Sequence, residues 1–106
     1  MKLGIVGMLP EDFRTFRSDD MHPIRALGFT GFGFHLNGND IFEITNEDCV
    51  KFQRFLAPEE LDLAQFAINY NECLFHPDQA VREAVTAQIN RGTEISAQLE
   101  AQVFLL

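Results

Sequence analysis

Tryptophan is absent from this 106-residue chain and tyrosine occurs once, so its aromatic area almost entirely lacks an N–H or O–H handle. No apolar run approaches the roughly 18–20 residues of a membrane-spanning helix, which excludes that class and predicts no membrane partner. Positive charge is also scarce. Eight Lys and Arg against sixteen Asp and Glu leave a formal charge of -8, and the basic residues are scattered rather than gathered in a stripe. Nucleic acid and anionic lipid both reward clustered cations, so neither is expected as a partner. Only two cysteines occur, Cys49 and Cys73, without CxxC or metal-finger spacing. They read as reduced core or boundary thiols of a cytoplasmic protein. The opening stretch Met1 to Pro10 has a short, Gly-rich apolar part and no small-residue cleavage site, so it predicts a first strand rather than a secretion signal.

Against these absences stand eleven phenylalanines within a 46% hydrophobic composition. That is apolar material enough for one modest core, and the prediction is a single domain over residues 1–106.

The first strand is predicted over Lys2 to Met8, a nearly continuous apolar run suited to cover on both faces. Leu9 to Asp20 is polar and irregular. A short helix follows around Met21 to Leu27, with Asp19 or Asp20 as N-cap and Gly28 as its stop. Strand two is expected over Phe29 to Leu36, followed by a turn at Asn37-Gly38-Asn39-Asp40. Thr45-Asn46-Glu47-Asp48 is a capping box with Asp in the reciprocal position, and its helix runs to about Leu56, ahead of Pro58. Strand three is expected over Leu61 to Ile68. Pro77 suits the first turn of a third helix, with Asp78 near its positive end. Val81, Val85, Ile89, Gly92, Ile95 and Leu99 then recur at helical spacing. Gly92 costs about 1 kcal/mol against Ala inside a helix, which points to close approach of helix and sheet. Gln102 to Leu106 reads as a buried fourth strand.

Strand starts near 3, 31, 61 and 102 lie 28, 30 and 41 residues apart, a spacing that suits successive βαβ units. The predicted fold class is α/β, a parallel four-stranded half of an eight-stranded (β/α) barrel. Much of any barrel active site is then expected to lie outside the chain. Right-handed crossovers between neighbouring strands place all three helices on one face of the sheet and leave the other bare. In strand two, Phe32, Phe34 and Leu36 suit the helix side, and Gly31, Gly33 and His35 suit a crowded barrel interior. In strand three, Phe66 and Ile68 oppose Gln65, Ala67 and Asn69, and the sequence does not decide which set faces inward. The simplest cover is a homodimer in which strand four pairs with strand one of a second copy, twice over. Burying several hundred Å² per chain at ~25 cal/mol per Å² contributes on the order of 10 kcal/mol before association entropy.

The segments Gly28-Phe29-Thr30-Gly31-Phe32-Gly33-Phe34, Leu61-Asp62-Leu63-Ala64-Gln65-Phe66 and Leu74-Phe75-His76-Pro77-Asp78 resemble the sugar phosphate isomerase/epimerase family, TIM barrels of the xylose-isomerase-like group. The resemblance spans nearly all of this chain and the N-terminal half of a family barrel. It implies a divalent metal ion (Mn, Mg, Co or Zn) at the C-terminal ends of the strands and proton transfer on sugars or related polyols. In that group most metal carboxylates belong to the second half. A histidine at the end of strand two or three is also found there, which His35 matches in position and His76 matches loosely.

His35, on the Gly-rich face at a strand end, is the leading candidate for catalysis or metal ligation, beside the ordinary reading of a hydrogen-bonded lumen histidine. His76 is a second metal candidate, set against capping of a helix start. Glu72 is a candidate general acid/base set against a solvated loop charge. Asn69 and Tyr70 are candidates for hydrogen-bonding a sugar, or for closing the strand end. His22 reads as solvated, as do the pairs Asp19-Asp20 and Glu59-Glu60. Phe52, Phe55 and Phe66 read as core. Gly31-Phe32-Gly33 lies inside a strand and is not a dinucleotide fingerprint. Two functions follow. One is a non-catalytic or incomplete half-barrel that self-associates and holds a metal ion or small polyol. The other is a sugar isomerase/epimerase active only when a second copy or a missing half completes the barrel.

Overall fold

The protein is described by a computed structural model covering residues 3–70 and 72–105. Three caps set the helices. Helix α1 (Ser18–Ala26) starts after Arg17, whose backbone N–H donates to the Asp20 carboxylate at 2.8 Å. Asp20 is therefore the third helical residue rather than the N-cap, and the helix begins three residues earlier than its composition suggests. Pro23 consequently lies inside the helix, where it forfeits one backbone bond. Gly28, at φ 87°, ends it as expected. Its N–H reaches the Arg25 carbonyl at 2.9 Å and the Phe29 N–H reaches Ile24 at 3.2 Å, the paired bonds of a Schellman motif. Helix α2 (Asn46–Leu56) opens on the reciprocal Thr45–Asp48 bonds of 3.0 and 3.1 Å. Helix α3 (Gln79–Gln98) is capped by Asp78, which accepts from the Ala80 N–H at 2.9 Å, so Pro77 precedes the helix instead of lying in its first turn.

The strands β1 (Gly4–Val6), β2 (Gly31–Asn37), β3 (Asp62–Asn69) and β4 (Val103–Leu105) form one parallel sheet in the order β1-β2-β3-β4. Lys2 and Leu106, the outermost residues of the expected first and last strands, lie outside the described residues. Register pairs Val6 with Gly33, His35 with Ala67, Asn37 with Asn69, and Ala67 with Leu105. It slips by one residue between Phe32 and Gly33, where β3 bulges at Ala64.

A single core packs the helices onto one face. It joins Met21 and Ile24 of α1, Cys49 and Phe52 of α2, and Ile95 of α3 with its C-cap Leu99 to Phe32, Phe34, Leu36, Leu63, Phe66 and Ile68 of the sheet. The structure thereby assigns Phe66 and Ile68 to the helix side and leaves Gln65 and Ala67 opposite. Eight phenylalanines (13, 16, 32, 34, 52, 55, 66 and 104) form a connected set of ring contacts, 5.3–6.5 Å between centroids. Phe13 and Phe16 belong to this core although their segment reads as irregular. A 3₁₀ turn at Phe13–Thr15, capped by Asp12, swings both rings under α2. Gly92 is required where α3 crosses the sheet: a Cβ there would lie 2.8 Å from the Phe104 ring and 3.2 Å from Ile68.

Glu59 departs from the solvated reading. It is 7% exposed, and its carboxylate is ion-paired with Arg25, which also donates to the Glu59 carbonyl at 3.2 Å. This pair fastens the 3₁₀ turn after α2 (Ala57–Glu59) to α1. The cysteines divide: Cys49 is buried, with its thiol pushed up by desolvation, and Cys73 is exposed.

Among the described residues, the other face of the sheet carries no helix. Val6, Val103 and Leu105 stand 56%, 50% and 43% exposed there. Val6 leans over Gly33, where an added Cβ would meet its Cγ1 at 2.5 Å.

Candidate functional site

In parallel α/β folds the C-terminal strand ends gather ligands, because the connecting loops emerge there above a rigid sheet. The ends of β2 and β3 place Asn37 beside Asn69 in register, with His35 one pleat below on the helix-free face. Two loops build the walls. After β2, the Gly38 N–H donates to the Asn69 carbonyl at 2.5 Å, and the Asn37 side chain accepts from the Asn39 N–H at 2.9 Å. Gly38 is needed because a Cβ would sit 2.8 Å from the Asn69 oxygen. After β1, the chain returns over the sheet end and brings Glu11, Asp12 and Arg14 to the same place. The result is a polar cleft of about 350 Å³ lined by Glu11, Asp12, Arg14, His35, Asn37, Asp40 and Asn69.

Its electrostatics are dominated by one fork. Arg14 donates through Nε at 3.0 Å and Nη2 at 2.7 Å to the two Asp12 oxygens. Those bonds hold the Asp12 carboxyl below the ordinary carboxylate range and raise the Arg14 guanidinium. Glu43 adds a further carboxylate 3.6 Å from Arg14.

The structure brings His35 and Asn69 together in this cleft and leaves the other candidates outside it. Glu72 lines a separate groove against α3 with Asn39, Val81 and Gln88. Tyr70 is half-buried and packs against the core. His76 is half-buried, and its Nδ1 accepts the Asp78 N–H at 3.0 Å beside the start of α3, which is the capping use. His22 is exposed on α1. Glu11, Asp12, Arg14 and Asp40 were not legible as site residues, since they lie in loops without periodicity. The Asn-Gly-Asn-Asp turn was the available signal for Asp40.

Among the described residues, no group of three or more His, Cys, Asp or Glu is close enough to hold a metal ion. The residues present therefore do not make a metal centre on their own.

No known protein-family profile matches the chain, and no curated protein matches it significantly. A solved structure does. A D-psicose 3-epimerase, crystallised in the presence of D-fructose, superposes with a TM-score of 0.72 at 20% sequence identity. The match covers 98% of this chain and 36% of the epimerase, so the chain spans about a third of that protein's length. The fold is thus an α/β half-barrel-like unit, four parallel strands with alternating helices, similar to part of a TIM barrel.

Proposed function

We propose that this chain is an incomplete barrel that self-associates through its helix-free sheet face and holds a small polyol at the ends of β2 and β3. One observation carries the reading: a four-stranded sheet covered by helices on one side only, with Val6, Val103 and Leu105 exposed on the other. The likeness to an epimerase over nearly the whole chain supports the same view, because it is a likeness to part of a closed barrel. The cleft suits a monosaccharide. Its volume lies at the small end of the ~300–1,000 Å³ range of ligand pockets, and His35, Asn37 and Asn69 offer paired donors and acceptors to vicinal hydroxyls.

A second reading, in which closure restores sugar isomerisation or epimerisation, is favoured by the epimerase likeness and by His35 at a strand end. There His35 would exchange a proton with the substrate, with metal carboxylates supplied from outside the described residues. Incubating the chain with a panel of ketoses and aldoses and Mn²⁺, Mg²⁺ or Co²⁺ separates the two. The incomplete-barrel reading expects binding without turnover. Epimerised product that disappears in His35→Ala establishes the catalytic reading in its place.

A further inference from the structure

We infer that the cleft at the ends of β2 and β3 selects neutral polyols and rejects phosphorylated ones, a specificity set by Glu11, Asp12 and Asp40. The inference rests on the polyol-binding reading and narrows it. Three carboxylates line the cleft, and among the described residues Arg14 is its only guanidinium or ammonium group. That cation is already engaged. Its Nε and Nη2 grip Asp12 at 3.0 and 2.7 Å, and Glu43 stands 3.6 Å from it. Phosphate binding needs a free guanidinium or ammonium, or a fan of backbone N–H groups at a helix N-terminus. Here the nearest free N–H groups are spent: Arg14 N–H on Asp12, Asn39 N–H on Asn37, and Gly38 N–H on Asn69. A phosphate dianion would enter a site of net negative charge within a chain of charge -8 and find no cation that is not already paired with carboxylates. Neutral hydroxyls find both donors and acceptors. Asp40 is the most tractable determinant, since it is exposed and makes no hydrogen bond through its side chain in its turn.

The test follows amide NMR signals of the ¹⁵N-labelled chain titrated in low salt with D-fructose and, separately, with fructose 1-phosphate. The expected result is movement of the His35, Asn37 and Asn69 signals by D-fructose, with the phosphate ester at least about tenfold weaker. Added salt should narrow that gap, because it screens the repulsion. Asp40→Asn should bring the ester closer to the neutral sugar by roughly threefold without altering the fold. If the ester binds as tightly as D-fructose or more tightly, the specificity inference is overturned and the polyol reading stands. If neither compound moves these signals, the polyol reading itself fails and the specificity falls with it.

Discussion

The two faces of the sheet are made from the same four strands and have opposite characters. On the helix side, Phe32, Phe66, Ile95 and Met21 are fully buried, and aromatic rings interlock from the 3₁₀ turn at Phe13 to Phe104 of β4. On the other side, glycines at 4, 31 and 33 alternate with Val6, Val103 and Leu105, side chains left in water at a density that a parallel sheet ordinarily hides. Stability resides on the first face. The second, on which His35 also lies, stays open to solvent, and it is there that we propose partners and ligands bind. Alternation of period two divides the roles residue by residue.

The largest expected effect lies on the helix side. Phe32→Ala should cost about 4 kcal/mol in urea unfolding, because it removes a fully buried ring from the centre of the aromatic set. A Val103→Ala change across the sheet should cost well under ~1 kcal/mol when unfolding is followed at concentrations dilute enough to keep the chain monomeric. Equal costs would show that the open face is packed in the isolated chain.

Next comes the Arg25–Glu59 pair, which fixes how the helix layer sits. The Glu59 carboxyl is held below its ordinary value by the Arg25 hydrogen bond, opposed by desolvation. Its contribution is therefore present above the ordinary glutamate range and is lost as pH falls through the depressed folded-state value. Glu59→Gln should lower stability by about 2 kcal/mol at pH 7, less than a fully buried pair because Arg25 is about one-third exposed. The difference from the parent should shrink progressively in unfolding curves taken at pH values lowered below the ordinary glutamate range.

The smallest effect sharpens the comparison at the turn into β4. Glu100 occupies the left-handed position of a Schellman motif at φ 56°, its N–H bonded to Ala97 at 3.2 Å and the Ala101 N–H to Ser96 at 3.1 Å. Glu100→Gly should raise stability by roughly 1 kcal/mol in thermal melts, since glycine adopts that conformation without a Cβ penalty.

What could be read in the sequence follows from the same division. Period-two and helical patterns showed the strands, the Thr45 capping box, the Gly28 stop and the reason for Gly92, because each is a local signal. Phe13 and Phe16 escaped because a 3₁₀ turn has no lasting period, and only the folded chain brings them under Phe52. Glu59 was misread because its neighbour Glu60 makes the pair look like a solvated face, while Arg25 lies 34 positions away. In the cleft, His35 and Asn69 were visible as strand-end residues. Glu11, Asp12, Arg14 and Asp40 were not, since the loops that carry them are positioned by tertiary contacts.

The open face is tested most directly by sedimentation equilibrium of the chain and of Val103→Lys at matched concentrations. The parent chain should sediment as a dimer, and the lysine variant as a folded monomer, because one charge per chain in a buried seam is costly and the same charge in water is not. A parent chain that stays monomeric at high concentration, with the same stability as the variant, would contradict the account.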